Sequence, residues 1–110
     1  MTRVLMGDSA ALHRLGLRDI MRDAHVELIE ANDYEVVGLL VEALPDVVVL
    51  DMDKTDTSVV VDRIVHDFPA GKVVSCSSAL PTMRIFSPFH RGEYYTSELD
   101  LAHFNIAIQA

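Results

Sequence analysis

The stretch that decides the fold runs from Pro45 to Asp53 and has the sequence PDVVVLDMD. Its apolar core, Asp46–Leu50, does not alternate with polar residues, which is typical of a central parallel strand buried on both faces. The run stops at Asp51. Functional groups of open α/β sheets gather beyond the carboxyl ends of the strands. The stretch therefore predicts a central strand with a polar site at its end.

Strand-like and helix-like segments alternate on both sides of this stretch, and this order is typical of βαβ units. Before it, the pattern predicts a strand over Arg3–Met6, a helix over Ala10–Asp23, a strand over Val26–Ala31 and a helix that Asn32 or Asp33 caps and Pro45 ends. After it come a helix over Thr57–Phe68, a strand over Lys72–Ser77, an irregular or shortened fourth helix within Ser78–Gly92, a strand over Glu93–Thr96 and a helix over Leu99–Gln109. We expect one α/β domain over residues 1–110, with a doubly wound, five-stranded parallel sheet in the flavodoxin-like order 2-1-3-4-5.

Composition restricts the classes of function. The 110 residues carry a formal net charge of -8, which argues against direct binding of nucleic acid because a duplex binder needs a basic face. The single cysteine, Cys76, excludes an internal disulfide framework and a cysteine-based zinc site. No apolar run approaches the roughly 18–20 residues that span a bilayer. The first residues show no signal peptide, so we expect a cytoplasmic protein without a membrane partner.

Two motifs at a characteristic spacing resemble one known family. The stretch RVLMGDSAALHRLGL, which begins at Arg3, resembles the opening strand and helix of response-regulator receiver domains of the NarL type, and PDVVVLDMD resembles the strand that ends in their phosphoaccepting aspartate. The similarity covers nearly the whole chain, strongly to about Asp53 and loosely afterwards. It implies a CheY-like fold with Asp51 at the phosphoacceptor position. It also implies a longer regulator whose C-terminal helix-turn-helix binds DNA.

The family's acidic pocket is incomplete in this chain. Asp8 matches the first acid of the family's pair, but Ser9 stands where a second carboxylate normally binds the metal. Asp53 matches the position whose backbone carbonyl completes the coordination. Magnesium usually relies on one or two carboxylates, so the loss weakens the site. We expect no resident metal; the residues that could hold one are Asp8, Asp51 and Asp53.

The switch residues of the family are altered as well. Ser77 matches the hydroxyl at the end of strand four, and Tyr94 lies near the switch aromatic. Ser97 stands at the position of the lysine that holds the phosphoryl group as a point charge. The serines also have structural interpretations, because Ser9 can cap the first helix and Ser97 can open a capping box before the last one.

The sequence thus favours an atypical receiver, not an enzyme, that controls dimerisation and activity of a transcription factor largely without aspartyl phosphorylation. A homodimer is expected, and a small-molecule ligand could bind in a remodelled pocket lined by Asp8, Asp51, Ser77 and Ser97. The first alternative is a conventional receiver that uses Asp51 and magnesium. The second is a small phosphohydrolase, because the segment from Asp51 to Thr55 matches a D-x-D-x-T nucleophile motif.

Overall fold

The computed structural model describes residues 2–7, 26–31, 36–53, 57–77, 79–89 and 93–109. The strands within these ranges are β1 (Thr2–Met6), β2 (Val26–Glu30), β3 (Val47–Asp51), β4 (Lys72–Cys76), β5 (Thr82–Phe86) and β6 (Tyr95–Glu98), and the helices are α1 (Val36–Ala43), α2 (Thr57–Asp67) and α3 (Leu101–Ile108). The predicted helix over Ala10–Asp23 and the predicted caps Ser9, Asn32 and Asp33 lie outside the described residues. None of the described helices is long and apolar enough to cross a membrane.

The six strands form one sheet in the order β2-β1-β3-β4-β5-β6. Its first four strands are parallel, with β1 between β2 and β3, and β3 paired to β4. All five residues of β3 are buried, as expected for a central strand covered on both faces. The α/β class and the neighbours of the central strand are therefore confirmed.

The second part of the sheet differs from the prediction. Thr82–Phe86 forms β5, which pairs antiparallel with β4, so the five-stranded, all-parallel sheet is wrong. The physical reason lies in the two prolines. Pro81 and Pro88 exclude a continuous helix, but they flank a five-residue run in which Met83 and Ile85 are buried and Arg84 is exposed. This alternation is that of a strand, and the prolines bound it without interrupting it.

The last strand and helix begin two residues later than predicted. β6 pairs antiparallel with β5 and contains Ser97, which is therefore part of the sheet. Asp100 is the N-cap of α3, and its carboxylate accepts a hydrogen bond from the backbone N–H of His103 at 2.8 Å. The prediction that Ser97 caps this helix is wrong, because the chain is still extended at Ser97 and turns only at Asp100.

Each face of the sheet carries its own apolar cluster. One cluster joins Val49 and Met83 to Phe104 and Ile108 of α3. The other packs Leu50 of β3 against the helices α1 and α2. Because side chains alternate along a strand, Leu50 and Asp51 point to opposite faces of the sheet. Asp51 therefore points to the α3 side of the sheet, and Leu50 points to the side that α1 and α2 cover.

Candidate functional site

Asp51 lies at the carboxyl end of β3 with only 6% of its surface exposed. The ladder to β4 continues beyond it, since the backbone N–H of Met52 donates to the carbonyl of Cys76 at 2.8 Å. Carboxylate oxygen Oδ1 of Asp51 accepts the backbone N–H of Asp53 at 2.9 Å. This bond, from a side chain to a backbone amide two residues on, closes an Asx turn. The carboxylate is therefore engaged within its own turn.

Asp53 joins this turn to the end of β4. Its Oδ1 accepts the hydroxyl of Ser77 at 2.9 Å, and its Oδ2 accepts the backbone N–H of Ala79 at 3.2 Å. The hydroxyl of Ser77 in turn accepts the N–H of Leu80 at 3.1 Å. The structure thus brings three of the predicted site residues together, Asp51, Asp53 and Ser77. They form a hydrogen-bonded network that holds the connection from β4 to β5.

The same turn fixes the start of α2. The hydroxyl of Thr57 donates to the backbone carbonyl of Asp51, which ties the first helical residue to the end of the strand. Lys54, Thr55 and Asp56 lie outside the described residues, so the structure describes only the two aspartates of the D-x-D-x-T motif. Asp51 and Asp53 have different surroundings: the first is buried and the second is exposed.

Cys76 is the neighbour of Asp51 across the sheet. Its side chain is fully buried and belongs to the apolar cluster on the α3 side. Burial raises the pKa of this thiol to about 12, and the nearby Asp51 carboxylate adds to the increase. A thiolate is the reactive form of cysteine, so Cys76 is a structural residue of the core and not a nucleophile.

Ser97 does not reach this network. In the pairing register, Asp51 lies opposite Cys76, Cys76 opposite Met83 and Met83 opposite Ser97. Three strand intervals of about 4.8 Å therefore separate Asp51 from Ser97, or about 14 Å in all. The insertion of β5 between β4 and the last strand causes this separation. The structure consequently does not assemble the predicted pocket around both residues.

Tyr94 lies on the opposite face, just before β6. Its ring centroid is 5.2 Å from that of Phe86, and the guanidinium carbon of Arg84 lies 4.9 Å from the same ring. Half of the tyrosine surface is exposed. The aromatic that the resemblance places near the switch thus packs against β5, a strand that the sequence pattern did not predict.

The acidic residues do not show a preformed metal cage within the described ranges. Asp8 and Ser9 lie outside them, and both carboxylate oxygens of Asp53 already accept hydrogen bonds. Among described residues, the group whose metal-ligating atoms come within 4.8 Å of one another is Glu98, Asp100 and His103. All three are exposed, and both carboxylate oxygens of Asp100 lie 2.7 Å from Nδ1 of His103. Helix capping accounts for the Asp100–His103 pair of this cluster.

A cavity of about 210 Å³ lies on the α2 side of the sheet, and the sequence analysis missed it. We call it the β5 cavity; it is lined by Met52, Thr57, Ser58, Val61, Asp62, Ser75, Arg84, Phe86 and Tyr94. Ser75 lies within the predicted strand Lys72–Ser77, but Asp62 and Arg84 carry no motif. The alternation of Met83, Arg84 and Ile85 was the available indication that Arg84 faces away from the core.

A scan against protein-family models finds no match for this chain, and searches of curated proteins and of solved structures find none either.

Proposed function

We propose that this chain is an atypical receiver domain that controls the dimerisation and activity of a transcription factor, largely independently of aspartyl phosphorylation. A small molecule modulates it, and DNA is bound by a separate C-terminal domain. The net charge of -8 is consistent with this division, because an acidic domain repels the phosphate backbone. The receiver assignment itself rests on the motifs around Asp8 and Asp51.

The observation that best supports this proposal is the hydrogen-bond network at the end of β3, in which Asp51, Asp53 and Ser77 take part. Asp51 is 6% exposed and its carboxylate accepts the amide of Asp53, while the hydroxyl of Ser77 is used by Asp53. Little of the Asp51 surface is accessible to an incoming phosphoryl group, and attack through Oδ1 displaces the hydrogen bond from the amide of Asp53. That displacement leaves the buried Asp51 oxygen without its partner, which costs about 1–3 kcal/mol. The network therefore disfavours phosphorylation of Asp51.

The separation of Ser97 from Asp51 supports the same conclusion. A conventional receiver uses a lysine at this position to bind the phosphoryl oxygens, as the resemblance implies. Here the residue is a serine and lies about 14 Å away along the pairing register. Lys72 does not replace the missing lysine. Its ammonium donates to the carbonyls of Ala107 and Gln109, and Lys72 lies at the start of β4, whereas Asp51 pairs with the last residue of that strand.

Dimerisation in this proposal uses the last helix. Ile106 of α3 is 71% exposed, although the neighbouring Ala107 and Ile108 are buried in the core. The exposed side chain of Ile106 is available for contact with a second copy of the chain. The expected dimer is symmetric, so that the same helix contributes from both copies.

The test measures modification and oligomeric state together. Purified protein is treated with acetyl phosphate, or with a beryllofluoride mimic, in the presence of Mg²⁺. We expect no modification of Asp51 by mass spectrometry and no change in oligomeric state by light scattering. The Asp51→Asn variant is the control and should behave as the unsubstituted protein does.

Modification of Asp51 coupled to a change in oligomeric state would contradict the proposal and favour the conventional receiver. The dimer face is tested separately with Ile106→Glu, which should shift the protein towards monomer. Val41→Glu is the matched control, since Val41 is 77% exposed on α1. Equal effects of the two substitutions, or none, would exclude α3 as the dimer face.

A further inference from the structure

The β5 cavity contains a buried polar group that has no partner in the part of the chain that the structure describes. Ser75 is 2% exposed and lines the cavity, and its hydroxyl forms no hydrogen bond with any other described residue. Ser77, two residues on, shows the usual behaviour, because its hydroxyl both donates and accepts. Buried hydroxyls are nearly always paired, so an unpaired one calls for a water or a ligand. The Ser75 hydroxyl therefore points to an occupant of the cavity.

Two opposite charges lie in the same cavity without meeting. Arg84 on β5 and Asp62 on α2 both line it, yet neither forms an ion pair among the residues that the structure describes. Arg84 instead stacks over the ring of Tyr94, with 4.9 Å between the guanidinium carbon and the ring centroid. This contact limits the freedom of the guanidinium and holds it at the cavity.

The beginning of α2 adds a second attraction for negative charge. Thr57 and Ser58, the first residues of this eleven-residue helix, line the cavity. The first turn of a helix has backbone N–H groups without intrahelical partners and carries a partial positive charge. Anions are therefore favoured at such an end. Together with Arg84 and the Ser75 hydroxyl, it forms a surrounding suited to a carboxylate.

We propose that the β5 cavity binds a small α-amino acid, with its carboxylate at Arg84, Ser75 and the start of α2, and its ammonium at Asp62. The carboxylate of Asp62 makes the cavity unfavourable for a purely anionic ligand such as phosphate. Apolar walls from Met52, Val61 and Phe86 suit an aliphatic side chain. The volume of about 210 Å³ is below the roughly 300–1,000 Å³ of drug-sized sites and fits a metabolite.

Binding of the amino acid does not depend on the receiver assignment; only its regulatory meaning rests on the proposed function. Met52 and Thr57 line the cavity and belong to the connection that follows Asp51. An occupant would therefore contact the same turn that the Asp51 carboxylate closes. Measurements of binding and of oligomeric state separate a failure of this site from a failure of the proposed function.

The probe is L-leucine, titrated into the full chain and followed by heteronuclear NMR. We expect saturable shifts that include Ser75 and Arg84. Isocaproate lacks the ammonium group and isoamylamine lacks the carboxylate, and each should bind about tenfold more weakly or worse, because each loses one of the two charged contacts. Absence of saturable binding at about 10 mM would overturn the proposal. Equal binding of either analogue would also overturn it.

Substitutions then test the residues. Arg84→Gln should weaken L-leucine binding about tenfold or more, as expected for the loss of charged hydrogen bonds. Arg63→Gln is the matched control, because Arg63 is on α2 but pairs with Asp67 outside the cavity lining. Ser75→Ala should weaken binding without lowering stability, since it removes a buried hydroxyl that no described residue pairs with. Equal affinities of the Arg84 and Arg63 variants would contradict the assignment.

Discussion

At the residue scale, short-range hydrogen bonds decide what each polar side chain at the strand ends can do. Asp51 and Asp53 are two positions apart, but one is buried in its own turn and the other binds across to Ser77. Cys76 is the cross-strand neighbour of Asp51, but its side chain packs among apolar residues instead of joining a hydrogen-bond network. The pKa of its thiol is raised to about 12 by burial first and by the Asp51 carboxylate second.

This pKa predicts that Cys76 is unreactive in the folded protein. At about pH 8, an aromatic disulfide reagent should label it roughly a thousandfold more slowly than an exposed cysteine, because the thiolate fraction is far smaller. Labelling should become fast in denaturant. A double variant, Cys76→Ala with Thr96→Cys, is the control, since Thr96 is exposed on β6. Fast labelling of the native protein would show that the thiol is accessible.

At the element scale, prediction and structure differ mainly in where helices and strands begin and end. α3 begins after Asp100, whose carboxylate accepts the backbone N–H of His103 and also lies against the His103 ring. These contacts lower the pKa of Asp100, the backbone hydrogen bond more than the ring. The helix has only eight residues, so its cap is a large part of what stabilises its first turn.

Removal of this cap should lower thermal stability. Asp100→Ala is expected to reduce Tm by roughly 5 °C, while Asp100→Asn should retain most of the stability because asparagine caps equally well. Circular dichroism measures both. A depressed folded-state pKa contributes stability that is complete above the unfolded value of 3.8 and is lost as the pH falls through the folded value. The asparagine variant should lack this acid-dependent loss.

At the scale of the whole molecule, β5 joins the two parts of the sheet into one folding unit. Met83 pairs with Cys76 on one side and with Ser97 on the other, and it is fully buried in the cluster that includes Phe104. Deletion of its side chain leaves a cavity beneath α3. The cost then falls on the whole domain, since the same cluster extends to β1.

Met83→Ala should therefore lower the free energy of unfolding by about 2–5 kcal/mol. Urea unfolding followed by circular dichroism should show one transition at lower urea with an unchanged slope. Leu80→Ala, on the connection before β5, is the control; its side chain is 64% exposed and the change should stay within about 0.5 kcal/mol. Similar costs for both substitutions would contradict the buried position of Met83.

The sequence by itself determined the parallel half of the sheet. An uninterrupted apolar run such as Val47–Leu50 is stable only when both faces are covered, so its central place and the position of Asp51 at its end follow from local pattern. The α/β class and the α2 segment follow from periodicity in the same way. These features depend on residues that are close together in the chain.

Only the tertiary structure decided where β5 and β6 lie and which polar groups meet. Thr82–Phe86 is too short for its pattern to distinguish a strand from an irregular segment, and pairing with β4 over a hairpin decides its conformation. That pairing displaces Ser97 from Asp51 and brings Arg84 to Ser75 in the register. Such contacts depend on hydrogen bonds between residues that are far apart in the chain, and local periodicity does not encode these bonds. The register that buries the apolar face of each strand decides which residues pair.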